Sequence, residues 1–120
     1  MRIVGLVVAL AVASLFSGCG ATVSKVNQRP AHYYQKTVKL RGQIVEMQNL
    51  TGETLLEIAD ERGSRILVQV KGPTEHATGD WVKVRGLLVP EARVGDRVLY
   101  DVVVADDIGP SRAPRFRNVF

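Results

Sequence analysis

The chain is poor in the side chains on which most catalytic and metal-binding sites depend. It has one cysteine and two histidines among 120 residues. One cysteine excludes an internal disulfide, a thiolate zinc cluster and a CxxC redox pair, and two imidazoles offer little for a multi-histidine metal site. The sequence also lacks a Gly-x-Ser-x-Gly nucleophile elbow and a calcium loop with regularly spaced Asp, Asn and Gly. We therefore expect no catalytic residue, no metal ion and no cofactor.

Length and charge limit the architecture and the partner. A chain of 120 residues has room for one small domain, and 46% hydrophobic with 23% charged residues is typical of a folded protein. Sixteen basic against twelve acidic side chains give a formal net charge of +4. Because an excess of positive charge suits nucleic acid or an anionic membrane, the placement of these charges matters.

The basic excess lies outside the central block of the chain. Residues 30–109 hold ten basic and twelve acidic side chains, a net charge of −2. Aromatic residues make up only 6% of the chain, and the strand-like runs 53–59 and 64–71 contain none on which a base could stack. We therefore expect the domain to have no nucleic-acid partner. The basic residues outside the block are Arg2, Lys25, Arg29, Arg112, Arg115 and Arg117.

One long apolar run stands at the beginning of the chain. Residues 3–16 read IVGLVVALAVASLF, 14 residues where a membrane span needs about 20. The run has the length of a signal-peptide apolar region, with a basic residue before it and small residues after it. The following sequence LFSGC, residues 15–19, resembles the lipobox of bacterial lipoproteins, with Phe16 at a position where that family prefers leucine.

The resemblance implies a covalent lipid anchor on Cys19. In that family the chain is cut between the residues equivalent to Gly18 and Cys19, the thiol receives a diacylglycerol, and the new amino terminus is acylated with a chain such as palmitate. Gly20 stands where an aspartate often marks retention in the inner membrane, which implies a position on the outer membrane facing the periplasm. The alternatives are an uncleaved apolar helix or a buried free thiol.

These features divide the chain into four parts. Residues 1–18 are the expected signal peptide, and residues 19–31 are the lipidated amino terminus with a polar tether. Residues 32–109 are the expected folded domain, and residues 110–120 are a tail rich in proline and arginine.

The folded domain has the two-residue periodicity of half-buried strands. Apolar and polar side chains alternate through five runs, as they do when successive side chains point to opposite faces of a sheet. Gly42 and Gly86 fall on the inward register, where a tight crossing leaves no room for a side chain. Residues 73–77 are compatible with a single helical turn. The predicted strands are 35–47, 53–59, 64–71, 80–89 and 97–105.

The pattern of glycines and aliphatic residues resembles that of an OB-fold. VKLRGQI at residues 38–44 is similar to the first strand of that fold, and GDWVKVRGLL at residues 79–88 is similar to the fourth. The resemblance covers residues 35–108 and implies an all-β, five-stranded barrel. About nine residues connect the third and fourth strands, so this connection is shortened and has no room for the usual helix. The alternatives are a six-stranded sandwich or an SH3-like barrel.

A binding face is expected on the outside of the first three strands. Together with the membrane anchor, it predicts a non-enzymatic binding or assembly module for an envelope protein or an oligosaccharide. The loops 48–53 and 90–97 flank this face, and Leu67, Leu87, Leu99 and Val103 are expected to point outward, which is more apolar surface than a fully solvated wall needs. The candidate binding residues are Arg41, Gln43, Arg65, Leu67 and Gln69.

Two further functions stay open at this point. Arg112, Arg115 and Arg117 are spaced along the tail and could contact an anionic surface such as lipid headgroups. The other alternative is a small-ligand-binding or stress-related periplasmic protein that uses the barrel mouth. The sequence leaves the partner, the oligomeric state and the order of the tail undetermined.

Overall fold

The computed structural model describes residues 21–113, and the five strands expected from the sequence are all present. Two short helices precede them. The elements are α1 (Val23–Gln28), α2 (Pro30–Tyr33), β1 (Thr37–Leu50), β2 (Glu53–Ala59), β3 (Arg65–Lys71), β4 (Trp81–Val94) and β5 (Arg97–Pro110).

The five strands form one sheet that closes on itself in the order β1-β2-β3-β5-β4. Neighbouring strands are antiparallel except for β3 and β5, which run parallel. β1 and β4 are therefore adjacent, and β3 lies on the far side of the barrel from them. The prediction of an all-β protein with a closed five-stranded sheet is confirmed.

Alternate side chains from all five strands fill the inside of the barrel. Gly42 and Gly86 are buried on the inward face, as the sequence predicts. A Cβ on Gly42 would lie 2.8 Å from the carbonyl oxygen of Ala59, so β1 approaches β2 too closely for a side chain. The residues of the strands that form the main core are Val38, Leu40, Ile44, Leu56, Ile58, Ile66, Val68, Val70, Val82, Val84, Leu88 and Val103.

The connection between β3 and β4 is short, as predicted. Residues 72–80 contain turns and bends without helix, so the single helical turn at 73–77 is not formed. A long helix is absent elsewhere as well: within residues 21–113, no helix has the length and apolar character needed to cross a membrane.

The hairpin between β4 and β5 is longer than the sequence predicts. β4 continues through the exposed Pro90 to Val94, and Val94 pairs with Arg97 across a two-residue turn. Gly95 adopts a φ of +65° in this turn, a conformation that favours glycine in tight hairpins. Proline is tolerated where its missing N–H faces away from the ladder, so Pro90 does not end the strand.

Residues 21–31, expected as part of a polar tether, contain α1 and the beginning of α2. The hydroxyl of Thr22 accepts a hydrogen bond from the Lys25 N–H and caps α1. Val23 and Val26, one helical turn apart, are fully buried in the main core. Two apolar residues in a segment of this length give too weak a period for a sequence prediction, and only the barrel supplies the surface that makes the helix stable.

The predicted register of β5 is also wrong. Val103 points inward with Leu88 and Val68, whereas Val102 and Val104 lie on the opposite face of the sheet, where Val102 is nevertheless fully buried. Asp101 has a φ of +56°, and this left-handed residue breaks the alternation that the sequence implies. Val98 and Tyr100, which uninterrupted alternation in this strand would place inside the barrel, are exposed.

Shortening Val26 to alanine is expected to destabilise the fold by about 2 kcal/mol, because two buried methyl groups are lost and a cavity remains. The measurement is urea unfolding followed by circular dichroism. Val98 is 39% exposed, so Val98→Ala is the matched control, with an expected change within about 0.5 kcal/mol. Equal midpoints for the two variants would show that α1 is not part of the core.

Candidate binding surfaces

The two loops expected to flank a binding face meet in the structure. Arg97 Nη1, at the β4–β5 turn, donates a hydrogen bond to Gln48 Oε1 on β1 at 3.4 Å. Gln48 pairs with Leu55 on the outer face of the sheet, and Leu55 is only 7% exposed. The tip of the β4–β5 hairpin therefore lies close to the end of β1.

The most exposed large hydrophobic side chain of the described residues is Tyr100, at 66%. It lies on the β4–β5 hairpin, where Val98 is also exposed. The bend at Asp101 turns Tyr100 outward, and the Tyr34 hydroxyl holds this bend by donating a hydrogen bond to Asp101 Oδ1. The same hydrogen bond, with partial burial and the negative charge of Asp101, raises the pKa of the Tyr34 hydroxyl above its usual 10.0.

Sequence reasoning missed Tyr100, although one signal was present. The dipeptide Gly95-Asp96 stands between two runs of alternating apolar residues, and such a pair predicts a two-residue hairpin turn. Extending the strands to this turn would have revealed the long hairpin. The bend at Asp101 has no comparable signal, since Asp is only modestly favoured at positive φ.

The predicted binding residues on β3 lie on one face of the strand. Leu67 and Gln69 lie on the same face of the sheet as Val102 and Val104 of β5; Leu67 is half-buried and Val102 is fully buried. Gln69 Nε2 donates to Glu53 Oε1 at 2.7 Å. Nearby, Arg65 forms an exposed ion pair of 3.3 Å with Glu57. Of the other side chains expected outward, Leu87 is 36% exposed and Leu99 is half-buried.

The predicted binding residues on β1 belong to a different surface. Arg41 forms an ion pair with Glu61 at 2.8 Å, and its guanidinium carbon lies 5.9 Å from the ring centroid of Trp81. Gln43 Nε2 donates to the Gly79 carbonyl oxygen at 3.1 Å. Because β1 and β3 lie on opposite sides of the barrel, the five predicted residues do not form one continuous face.

A groove of about 910 Å³ lies beside Arg41. Its walls are α1, the turn between β2 and β3, and the outer face of β1 and β4. Asp60 fixes the turn, since its carboxylate accepts hydrogen bonds from the N–H groups of Ser24, Arg62 and Ser64 at 2.9–3.1 Å. The charged side chains lining the groove are Lys25, Lys39, Arg41, Arg62, Lys83 and Arg85, with Asp60, Glu61 and Asp107.

Only part of the predicted tail and anchor can be placed. Arg112 lines a smaller cavity of about 520 Å³ with Arg41 and Lys83. Gly18, Cys19, Arg115 and Arg117 lie outside the described residues. Between residues 21 and 113 there is no group of three or more His, Cys, Asp or Glu side chains that could hold a metal ion.

Comparison with solved structures shows that the chain shares its fold with parts of known proteins. No protein-family model and no curated protein matches the chain. Among solved structures, it resembles asparaginyl-tRNA synthetase from Pyrococcus horikoshii, with a TM-score of 0.58 and 17% identity over 78% of this chain and 23% of that chain. It also resembles a Leishmania major protein described as an aspartyl-tRNA synthetase, with a TM-score of 0.59 and 16% identity over 75% of this chain and 20% of that chain.

A third similar structure is aspartyl-tRNA synthetase from Entamoeba histolytica, with a TM-score of 0.52 and 11% identity over 70% of this chain and 20% of that chain. The chain thus spans only about a fifth of the length of these proteins. At such low identities the likeness concerns the barrel alone.

Proposed function

We propose that this protein is a lipid-anchored lipoprotein of the bacterial cell envelope. Its OB-type barrel serves as a non-enzymatic module that binds or assembles an envelope protein or an oligosaccharide. The anchor is Cys19, after cleavage behind Gly18, and Gly20 favours an outer-membrane position facing the periplasm. The observation that carries the binding role is the exposure of Tyr100 on the β4–β5 hairpin, where 66% of the residue surface is accessible.

The strand order and the likeness to the synthetase barrels support the OB-fold. OB-folds bind their ligands with the loops between strands one and two and between strands four and five. In this protein those loops meet through Arg97 and Gln48, and Tyr100 lies on the same hairpin. The exposed tyrosine therefore lies where this fold usually makes its contacts.

The chemistry of this region favours a protein or sugar surface over nucleic acid. Tyr100 and Val98 offer an exposed apolar contact, and the charges on the hairpin are balanced, since Glu91 and Asp96 accompany Arg93 and Arg97. Tyrosine is enriched among residues that dominate protein interfaces. Neither β2 nor β3 carries an aromatic side chain for base stacking. We therefore do not propose tRNA, which the names of the similar synthetases contain, as a ligand of this protein.

Replacing Tyr100 with alanine is expected to weaken partner binding about 30-fold, the effect of a residue worth about 2 kcal/mol at an interface. The measurement is crosslinking of the mature protein in envelope preparations, followed by mass spectrometry of the captured proteins and by binding to an array of envelope oligosaccharides. Tyr100→Phe keeps the ring and is the matched control, with an expected loss of less than about threefold.

The test asks whether capture of a partner requires the Tyr100 side chain. A protein or sugar captured by the native chain and by Tyr100→Phe, but not by Tyr100→Ala, supports the proposal and identifies the ligand class. Capture that is equal for all three chains would contradict a role of the hairpin. No capture by any of them, with the protein folded, would contradict the binding function itself.

A further inference from the structure

Four positive side chains face one another on the outside of β1 and β4. Lys39 is paired directly with Arg85, and Arg41 is paired directly with Lys83. All four are exposed on the same face of the sheet. Like charges opposite each other destabilise a sheet, so this arrangement is unfavourable for the fold. A partner of negative charge would relieve the repulsion.

The acidic groups nearby neutralise only half of this cluster. Arg41 is paired with Glu61 at 2.8 Å and Arg85 with Asp106 at 2.9 Å. Among residues 21–113, Lys39 and Lys83 form no ion pair. Two further carboxylates line the groove: Asp60 is occupied by three backbone N–H groups, and Asp107 is the direct partner of Arg85 on β5.

Further cations surround the four. Lys25 of α1 and Arg62 of the β2–β3 turn line the same groove, and Arg112 lies beside Arg41 and Lys83 at its edge. We name the outer surface of β1 and β4, with these additional cations, the cationic face. Counterions in water screen such a face, but a surface of fixed negative charges would satisfy it along its whole length.

The ends of the cationic face are amphipathic. Trp81, half-buried and paired with Gln43, lies beyond Arg41, and Leu87, 36% exposed and paired with Thr37, lies beyond Arg85. A basic centre with a tryptophan at its rim is the composition of surfaces that rest at the membrane–water interface, where the indole ring lies at the level of the headgroups.

The position of the proposed anchor is the strongest argument. Ala21 and Thr22 line the groove beside the cationic face. Cys19 precedes Ala21 by two residues, which span at most about 7 Å of chain. This step rests on the proposed lipid anchor: a chain lipidated at Cys19 brings the groove next to the headgroups of the bilayer.

We propose that the cationic face docks the barrel on anionic phospholipid headgroups. The acyl chains hold the protein in the membrane, and the face sets its orientation. With β1 and β4 against the bilayer, β3 on the far side of the barrel points away from the membrane. Leu67 and Gln69 are then presented to the solvent of the envelope, free of the membrane.

The test uses the unlipidated chain of residues 20–120, which includes both helices, all five strands and the whole described core. Binding is measured by flotation with vesicles of phosphatidylglycerol and phosphatidylcholine at low salt, and with vesicles of phosphatidylcholine alone. The variant Lys39→Gln with Lys83→Gln is expected to bind the anionic vesicles about 30-fold less, since each basic residue near such a surface contributes about fivefold. The matched control is Lys71→Gln with Arg93→Gln, which removes the same charge elsewhere and should change binding less than about threefold.

Each outcome bears on the face itself. Binding that requires the anionic lipid, weakens with salt and is lost only in the Lys39/Lys83 variant supports the proposal, provided that this variant melts no lower than the native chain. Equal losses in both variants would assign the effect to net charge and overturn it, as would equal binding to neutral vesicles. Displacement by inorganic phosphate at millimolar concentration would assign the face to a free anion, and tighter binding to a single-stranded oligonucleotide would assign it to nucleic acid. Because the chain carries no lipid, failure here leaves the anchor on Cys19 to its own test.

Discussion

Replacing Gly86 with alanine is expected to destabilise the protein by about 3 kcal/mol and to lower the melting temperature by about 12 to 24 °C. Gly86 is buried where β4 crosses β5 at a bulge. A Cβ there would collide with the carbonyl oxygen of Val104, and it would lie 2.8 Å from the Cα of Ala105. Both obstacles are backbone, so no rotamer change relieves them, and the two strands must separate.

Gly109 provides the control for this prediction. It lies on the same strand as the obstructing residues, its backbone is not left-handed, and an added Cβ would meet no atom within 4 Å. Gly109→Ala is therefore expected to change the free energy of unfolding by less than about 0.5 kcal/mol. The measurement is urea unfolding of both variants with calorimetry. If Gly86→Ala unfolded at the same midpoint as Gly109→Ala, the close approach of β4 and β5 would be wrong.

Replacing Cys19 with serine is expected to move the protein from the membrane fraction to the soluble or unprocessed fraction. The thiol is the only group in the chain that can carry the diacylglycerol thioether. Stable anchoring needs two membrane signals, since one acyl chain gives only marginal binding. The cationic face adds attraction that salt removes, so the membranes are washed at high salt before the protein is quantified.

Phe16→Leu is the matched variant for the anchor, because it restores the residue that the lipobox prefers. It should leave the protein on the washed membranes and increase the processed fraction. Mass spectrometry of the native chain should find an amino terminus that begins at a lipid-modified Cys19. An unmodified cysteine on a chain that still begins with Met1, or a serine variant that stays on the washed membrane, would contradict the anchor.

The proposed anchor and the cationic face together orient the barrel relative to the membrane. With the proposed anchor on Cys19, only two residues separate the lipid from Ala21 at the groove, which leaves the barrel little freedom to turn. A module held in this way presents β3 to the envelope. Its hairpin, which carries Tyr100, lies next to the turn between β1 and β2. The two binding functions therefore use separate surfaces and can be removed by separate substitutions.

The local sequence pattern was sufficient to predict the strands and the close strand crossings at Gly42 and Gly86. Alternation of apolar and polar residues is a property of each strand, so the five runs were found without knowledge of their partners. Gly42 and Gly86 fell in the inward register of such runs, and this indicated tight packing. The segment that resembles a lipobox is likewise a linear pattern, which a peptidase and an acyltransferase would recognise before any fold exists.

Contacts between distant parts of the chain account for what the sequence did not reveal. α1 has too few apolar residues to form a helix in isolation. It is stable because Val23 and Val26 pack into the core of the barrel. Tyr100 is exposed because Tyr34 holds the bend at Asp101, a partner 67 residues away. The split of the predicted binding face has the same origin, since only closure of the sheet places β1 and β3 on opposite sides.

The four opposing cations show most clearly which features the sequence predicts and which only the tertiary structure decides. In the sequence, Lys39, Arg41, Lys83 and Arg85 are outward residues of two strands, each typical of a solvated surface. Pairing of β1 with β4 brings Lys39 against Arg85 and Arg41 against Lys83. Composition and periodicity thus predicted the strands and the inward glycines, and the resemblance to a lipobox is the basis of the proposed anchor. Register and barrel closure alone created the cationic face, because repulsion between side chains depends on their distance in space and not on their separation along the chain.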